Sequence, residues 1–314
     1  MKLFRNDRGQ AAVLTVLSLA ALLGMAALVL DVGSWFREQR ATQAAADASA
    51  LAAAQSLPGE PGTAGALAAE YVGKNGGGAE TITFTSKNVS NDTVTVEVER
   101  PAPGFFAKVL GIDSVQVGAK ATARASGLEK AKWVAPITVN INHPKLNCGS
   151  TGTPPRPVPC FGQPTQLDLL NLKAPNGPDA AGAFGLINLD RADSGSVGAD
   201  TLSDWITRGF DGYMDIGIYT SVPSAKFNDS KFKTALNVRT GDVLLFPIYT
   251  KILGSGSNAE YDVVGWVGFE VTDYQANGST GWVRGSFTEV TWEGVQSESG
   301  EGLNYGVRAI QLVE

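Results

Sequence analysis

The chain has 314 residues, a net charge of −6 and a sequence pI near 5.0. Its lysines and arginines form no run beyond the first eight residues, so it lacks the concentrated basic face with which proteins bind nucleic acid. With one histidine, His143, and two cysteines, it cannot supply four His and Cys ligands to a zinc ion. We therefore expect no nucleic-acid partner and no cofactor.

An uncharged apolar segment runs from Ala11 to Leu30, directly after a short basic leader. At about 1.5 Å per residue, a helix of this length reaches about 30 Å, the thickness of a bilayer hydrocarbon core. A cleaved signal peptide would have an apolar core of about 7–15 residues and a loop after it, whereas here the helical composition continues. We predict a single-pass membrane protein whose span begins at Ala11 and ends at Leu30.

The orientation of the span decides the compartment of the rest of the chain. Three basic residues precede the span and two follow it closely, which modestly favours a cytoplasmic N-terminus. Cys148 and Cys160 form a close-spaced pair, which suits an oxidising exterior, and we expect a disulfide between them. Residues 31–314 are therefore expected on the extracytoplasmic side.

Helix-forming residues continue from Asp31 to Leu57, and Pro58–Gly59 predicts a stop. The composition predicts an alanine-rich helical stalk of about 40 Å beyond the bilayer. Small residues let two helix backbones approach closely, so an alanine face favours packing against another copy or another membrane protein. Packing on the chain's own outer domain is the alternative. The members of the predicted face are Ala41, Ala45, Ala48 and Ala52.

Several stretches resemble a known family. Asp7–Val16, the span and Asp31–Ala54 are similar to the N-terminal segment of the TadE/TadG-like proteins of bacterial Flp (Tad) pilus assembly, and Gln43–Ala54 is the most specific part. Gly104–Ala125 and Thr240–Tyr274 look similar to exported regions of TadG-type proteins. The resemblance implies a TadG-type protein of the bacterial cell membrane, with a cytoplasmic N-terminus and a large exported domain. Its implied partners are other pilus-assembly membrane proteins.

One residue departs from the pattern of the filament subunits in this system. Pilins are cut after a glycine that is followed, five residues on, by a glutamate. Gly9–Gln10 has the form of the cut site, but the fifth position holds Leu14. This departure favours a permanently anchored accessory component, and a minor pilin-like subunit remains the alternative.

After Pro58 the sequence predicts a small α/β module over residues 58–127. Period-two alternation predicts three strands, and two short helices complete the module. The strands are expected at Ile82–Phe84, Val94–Val98 and Val115–Ala123, and the helices at Ala64–Val72 and Phe105–Leu110.

A larger, mainly antiparallel β-rich domain is predicted over residues 128–314, after the leader, span and stalk of residues 1–57 and the small module. The fold class is therefore α+β. Helices are expected at Asp200–Gly209 and Ser230–Val238, and strands at Ile137–Ile141, Phe184–Leu189, Asp242–Thr250, Tyr261–Thr272, Trp282–Trp292 and Leu303–Val313.

The sequence favours a scaffold and not a catalyst. A Ser-His-Asp triad would have to use His143, and the chain has no nucleophile-elbow serine. The alternative in another class is a membrane-tethered carbohydrate-binding or hydrolytic envelope protein, with tryptophans of the β-rich domain lining a sugar site. Such residues more often pack in cores and sheets. The tryptophans concerned are Trp205, Trp266, Trp282 and Trp292.

Overall fold

The computed structural model forms two compact units. The first unit comprises residues 1–85, 91–124 and 312–314, and the second comprises residues 86–90 and 125–311. The three-part division predicted from the sequence stays a prediction. The residues that the structure describes are 7–151, 156–169, 185–191, 197–222, 224–255, 258–277, 281–297 and 305–313. The basic leader up to residue 6 lies outside them.

The first unit begins with one uninterrupted helix, α1 (Asp7–Ala54), of 48 residues. Between Ala11 and Leu30 no side chain is buried, and the most apolar window of the helix has a mean hydropathy of 2.6. Length and composition therefore allow this helix to cross a membrane. The long N-terminal helix and the α+β fold class predicted from the sequence are confirmed.

A second helix and three antiparallel strands complete the first unit. Helix α2 (Pro61–Lys74) has proline at its first position, where a missing N–H costs nothing. The strands lie in the order β1-β2-β3, and Ile82 pairs with Val96 while Val98 pairs with Ala119. A 3₁₀ turn at Ala107–Leu110, closed by Gly111 at φ 82°, joins the last two strands. The strand bounds are Ala79–Thr85, Thr93–Pro103 and Ser114–Ser126.

The C-terminal half of α1 packs against α2 and β2. Both layers use small side chains, which keeps the helix close to the sheet. The buried hydroxyls of Thr42 and Ser49 donate to carbonyls of α1 itself, at 2.8 and 2.6 Å, so they need no partner from the sheet. Completely buried members of this layer interface are Ala45, Ala46, Ala50, Ala53, Ala64, Ala68, Val94, Val96 and Val98.

The second unit is mainly antiparallel, as the sequence predicted. Its largest sheet has the order β5-β11-β12-β13-β8, with β10 also paired to β12. A smaller antiparallel sheet has the order β15-β4-β9, β6 pairs with β7, and β14 lies parallel to β16. The strands are β4 (Leu128–Ala131), β5 (Val139–Asn140), β6 (Gly149–Thr151), β7 (Arg156–Val158), β8 (Pro164–Asp168), β9 (Met214–Asp215), β10 (Gly217–Thr220), β11 (Val243–Leu253), β12 (Glu260–Ala276), β13 (Gly281–Thr288), β14 (Val290–Thr291), β15 (Gly294–Gln296) and β16 (Val307–Leu312).

Helices α3 (Ala199–Thr207) and α4 (Ser230–Val238) pack together within this unit. Its core contains three phenylalanines in successive contact, where Phe246 stacks on Phe269 at 5.4 Å and Phe269 meets Phe287 edge to face at 5.3 Å. Because these rings come from β11, β12 and β13, cross-strand aromatic contacts hold the three central strands in register.

Four predicted strands are shortened or broken in the structure. The predicted strand Ile137–Ile141 is reduced to β5 (Val139–Asn140), and Ile137 forms only an isolated bridge. The run Trp282–Trp292 is broken into β13 and β14, because Val290 and Thr291 leave the large sheet and pair with Val307 and Arg308. In the predicted strand 184–189, Leu186 and Ile187 form only isolated bridges, and residue 184 lies outside the described residues. The last strand is shorter than predicted, and its predicted start at residue 303 also lies outside them.

The layer interface of the first unit predicts that an enlarged side chain at Ala46 is destabilising. Ala46→Leu forces a branched side chain into a site with no exposed surface, and overpacking of this kind costs about 1–3 kcal/mol. The matched control is Ala44→Leu, one exposed position two residues earlier, which is expected to change stability by less than about 0.5 kcal/mol. Thermal unfolding of the purified chain in detergent measures both, and equal midpoints would refute the packing described.

Candidate functional site

The membrane end of the first unit is organised by one buried carboxylate, Asp31, which directly follows the apolar span. Its oxygens accept hydrogen bonds from the backbone N–H groups of Phe105 (2.8 Å), Phe106 (3.1 Å) and Ala107 (2.6 Å). The side chain is 2% exposed. It therefore caps the N-terminus of the 3₁₀ turn between β2 and β3, which would otherwise leave buried donors unpaired.

The backbone hydrogen bonds allow Asp31 to be buried in its charged form. Burial alone raises the pKa of the carboxyl, but the three backbone N–H groups favour the ionised form more strongly, and the net pKa lies below the usual value. Asp31 is consequently ionised at neutral pH. Hydrogen bonds to an ionised acceptor are shorter and stronger than neutral ones, so they fix the turn firmly to the helix.

Asp31 begins a ladder of polar side chains spaced four residues apart along α1. Trp35 donates through Nε1 to the carbonyl of Pro103 at 3.2 Å, and Gln39 and Gln43 donate through Nε2 to carbonyls in β3. Those carbonyls belong to Gly118, at 2.6 Å, and Lys120, at 3.1 Å. Residues four apart lie on one face of a helix, so the four side chains attach that face to the hairpin of β2 and β3. We call the set Asp31, Trp35, Gln39 and Gln43 the polar ladder.

A buried guanidinium adds a further attachment. Arg100 on β2 is 6% exposed, and its Nη1 lies 3.8 Å from a carboxylate oxygen of Glu38 on α1. Its Nη2 donates to the carbonyl of Asn75 at 2.8 Å, and its Nε donates to the carbonyl of Gly77. One cation therefore joins the helix, the strand and the connection that leads from α2 to β1, and its buried charge is satisfied from three sides.

The four alanines of the predicted face differ in their exposure. Ala45 and Ala52 are buried inside the first unit, Ala48 is half-buried, and Ala41 is exposed. The buried members meet the chain's own residues, which is the alternative weighed from the sequence. Contact with a partner helix through the exposed part of the face stays a prediction.

The sequence contained a signal for the polar ladder that composition alone conceals. Asp31, Trp35, Gln39 and Gln43 repeat at four-residue intervals between the apolar span and the alanine-rich run that follows. Residues at this spacing share one helix face, so the repeat places four hydrogen-bonding side chains on one side of α1. Their partners could not be found in the same way, because they lie 68–79 residues further along the chain.

In the second unit, Cys148 and Cys160 lie side by side in a geometry suited to a disulfide. Their Cα atoms are 5.3 Å apart, within the usual range of about 4.4–6.8 Å. The backbone N–H of Cys148 donates to Val158, and that of Cys160 donates to Lys145, so hydrogen bonds hold both ends of the intervening loop. Oxidation of this pair in the native protein stays a prediction.

The four tryptophans of the alternative sugar site have separate environments. Trp205 meets Phe210 edge to face, and Trp266 is buried with its Nε1 3.4 Å from the sulfur of Met214. The Nε1 of Trp282 donates to Gln275, and that of Trp292 donates to a backbone carbonyl. The four indoles therefore have different contacts within the second unit, and the structure gives no contact between any two of them.

An open groove of about 580 Å³ lies between α3 and α4. The two carboxylates on its rim are paired, Asp200 with Lys231 and Asp204 with Arg208. His143 lies elsewhere, where its Nδ1 accepts from the N–H of Lys145 at 3.2 Å and burial lowers its pKa. Within the residues that the structure describes, no group of three or more His, Cys, Asp or Glu side chains is placed to hold a metal ion.

Comparison with known families identifies the segment that carries the span and the polar ladder. Residues 9–56 match the family model described as putative Flp pilus-assembly TadE/G-like. This segment is therefore similar to the TadE/G-like pilus-assembly proteins. The match does not distinguish the TadG type from the TadE type, so the TadG assignment stays a prediction. Neither the search of curated proteins nor the search of solved structures gives a match.

The TadE/G-like segment is almost coextensive with α1 (Asp7–Ala54). It therefore combines two physical functions in one helix. Its first part is apolar and exposed, which fits a single-pass membrane anchor, and its second part is the central helix of the first unit. The support for a pilus-related role comes from this segment.

Removal of the Asp31 carboxylate is expected to release the turn from the helix. In Asp31→Ala the amides of Phe105, Phe106 and Ala107 lose their acceptors, and their hydrogen exchange should accelerate by roughly tenfold or more. Asp31→Asn keeps one acceptor oxygen and should give an intermediate rate. Exchange measured by mass spectrometry on the full chain in detergent tests this.

The matched control is Asp47→Asn, a half-buried carboxylate on the same helix that accepts a hydrogen bond from Gln43. It should leave the exchange of residues 105–107 unchanged. Wild-type exchange in Asp31→Ala would contradict the capping role.

The cysteine pair predicts linked peptides in non-reduced protein from the cell envelope. The bridge closes a loop of eleven residues, four of them proline, and contributes about 2–3 kcal/mol in the chain-entropy model, with the stiff prolines lowering the figure. Reduction should lower the melting temperature of the second unit. Free thiols at both positions in native material would contradict the disulfide. They would also weaken the argument that residues 31–314 lie outside the cytoplasm.

Proposed function

We propose that this protein is a permanently membrane-anchored, non-catalytic accessory component of Flp/Tad pilus assembly, of the TadG type. It spans the bacterial cell membrane once, with its N-terminus in the cytoplasm and residues 31–314 outside. Other pilus-assembly membrane proteins, or a second copy of the chain, bind along α1. The lipid bilayer surrounds the span between Ala11 and Leu30.

The observation that carries this proposal is the match of residues 9–56 to the TadE/G-like model, together with the part those residues play in the fold. A cleavable signal would be followed by a loop, whereas α1 runs without a break from the apolar span into the helix that packs against α2 and β2. This continuity supports a retained membrane anchor.

One residue supports an accessory role over a filament subunit. Filament subunits of this system are thought to use a glutamate to neutralise the new N-terminal amine of a neighbour, because an unpaired charge in an apolar bundle is costly. Leu14 cannot do so.

The proposal assigns partner contact to the exposed part of the alanine face. Ala41 is exposed and Ala48 is half-buried, so larger side chains there leave the core of the first unit in place. A leucine at both positions would keep a partner backbone at a distance by steric overlap.

The test is complementation of a deletion strain with the full chain and its variants. We expect the deletion to abolish or strongly reduce surface Flp pili, the wild type to restore them, and the double variant Ala41→Leu/Ala48→Leu to lose crosslinked complexes and at least half of the pili. The matched control is Ala79→Leu, an exposed alanine on β1, which should complement fully. Full piliation of the deletion strain would refute the proposed function.

Fractionation of the same strains separates the two roles within the pilus system. The accessory role predicts that the mature protein keeps its leader and stays with the membrane. N-terminal sequencing that begins at Gln10, with recovery of the protein in sheared pili, would instead support the minor-pilin alternative.

A further inference from the structure

The connection between β2 and β3 exposes an unusual number of large apolar side chains. Within residues 105–112 the exposed fractions are 63% for Phe105, 48% for Phe106, 86% for Val109, 81% for Leu110 and 44% for Ile112. Contiguous apolar surface of this kind is rare on a protein surrounded by water, and it marks contact with a partner or a membrane. We call residues 105–112 the apolar loop.

The polar ladder shows which end of the first unit carries this loop. From Gln43 towards Asp31, the contacts of α1 move along β3 from Lys120 to Gly118 and then to the amides of the loop. The span is attached to α1 immediately before Asp31. The apolar loop is therefore at the end of the hairpin nearest to the span.

The hydrogen bonds to Asp31 also fix the position of the apolar loop relative to the end of the span. Leu30 and Val29, which are 57% and 70% exposed, end the apolar span one and two residues before Asp31. Because three amides of the loop are held on that carboxylate, the loop lies where α1 leaves the hydrocarbon. Its apolar surface continues the apolar surface of the span.

We propose that the apolar loop inserts into the outer interface of the bilayer that α1 spans, with Val109 and Leu110 leading. Apolar side chains of an interfacial segment enter the headgroup and upper acyl region by about 5–10 Å. Lys108 is the single charged residue of the loop, and its long side chain reaches the lipid phosphates while its stem stays among the apolar groups. Gly111, at φ 82°, ends the 3₁₀ turn and returns the chain to β3.

The loop gives the first unit a second attachment to the membrane beside the span. A single helix leaves a domain free to rotate and lean over the bilayer, whereas a helix and an adjacent inserted loop fix its orientation. The inference rests on α1 spanning a membrane and does not depend on the pilus role.

The test measures the depth of the loop in the full chain reconstituted in vesicles of phosphatidylethanolamine and phosphatidylglycerol. A nitroxide is attached to Val109→Cys under non-reducing conditions, and its collision rates with oxygen, which enters lipid, and with a water-soluble nickel complex are compared. The unsubstituted chain, treated in parallel, gives the blank for labelling at Cys148 and Cys160. Because Val109 is largely exposed, the substitution leaves the fold intact.

Two reference positions calibrate the measurement. Leu22→Cys lies within the span, and Thr83→Cys lies exposed on β1 in the same unit. We expect the oxygen-to-nickel collision ratio at position 109 to be several-fold higher than at position 83 and to approach that at position 22.

A ratio at position 109 equal to that at position 83 would overturn the proposal, since the loop would then be in water. Low collision rates with both reagents, together with an immobilised label, would also overturn it and would assign the loop to a protein interface. A water-like ratio at position 22 would refute the span itself, which distinguishes that failure from failure of the loop to insert.

Discussion

The first unit depends on the three hydrogen bonds that end on the carboxylate of Asp31. They join the point where the apolar span ends to a connection more than seventy residues away in the chain. A charged group buried at that place would be costly without partners, and the amides of the turn would be equally costly without an acceptor. The carboxylate and the three amides satisfy each other's hydrogen bonds, so these bonds fix the position of the hairpin relative to the helix.

The small side chains of the alanines in α1 explain why hydrogen bonds are needed to hold the helix on the hairpin. A buried methyl group contributes only about 0.8 kcal/mol, so a helix face of alanines gains little from contact with a sheet compared with a face of leucines. Small side chains bring the backbone of α1 close enough for the short side chains of Asp31 and Gln39 to reach main-chain groups of the hairpin. Close packing and hydrogen bonding are thus complementary: the alanines bring the layers together, and the polar ladder sets their alignment.

Local patterns in the sequence predicted much of this architecture. Unbroken helix formers predicted α1, and the alternation of Val94, Val96 and Val98 predicted β2, because both signals lie within one element. The broken strand after residue 288 was not predictable, since Val290 changes partner through a long-range pairing with Val307. The partners of Asp31 and Arg100 were hidden for the same reason, although the four-residue repeat of the ladder was visible. Sequence periodicity reports which face of an element is polar, and only the folded chain shows what that face meets.

The absence of any break in α1 between the span and the first unit has a mechanical consequence. A helix tilted by about 20° in the bilayer, as is common for membrane helices, displaces a point 24 residues beyond its exit by about 12 Å sideways. Since the sheet is attached to the helix by the polar ladder and Arg100, it must follow that displacement and any rotation of the helix about its axis. The helix therefore acts as a lever: a force exerted on the sheet of the first unit is transmitted as tilt and torque to the apolar segment between Ala11 and Leu30.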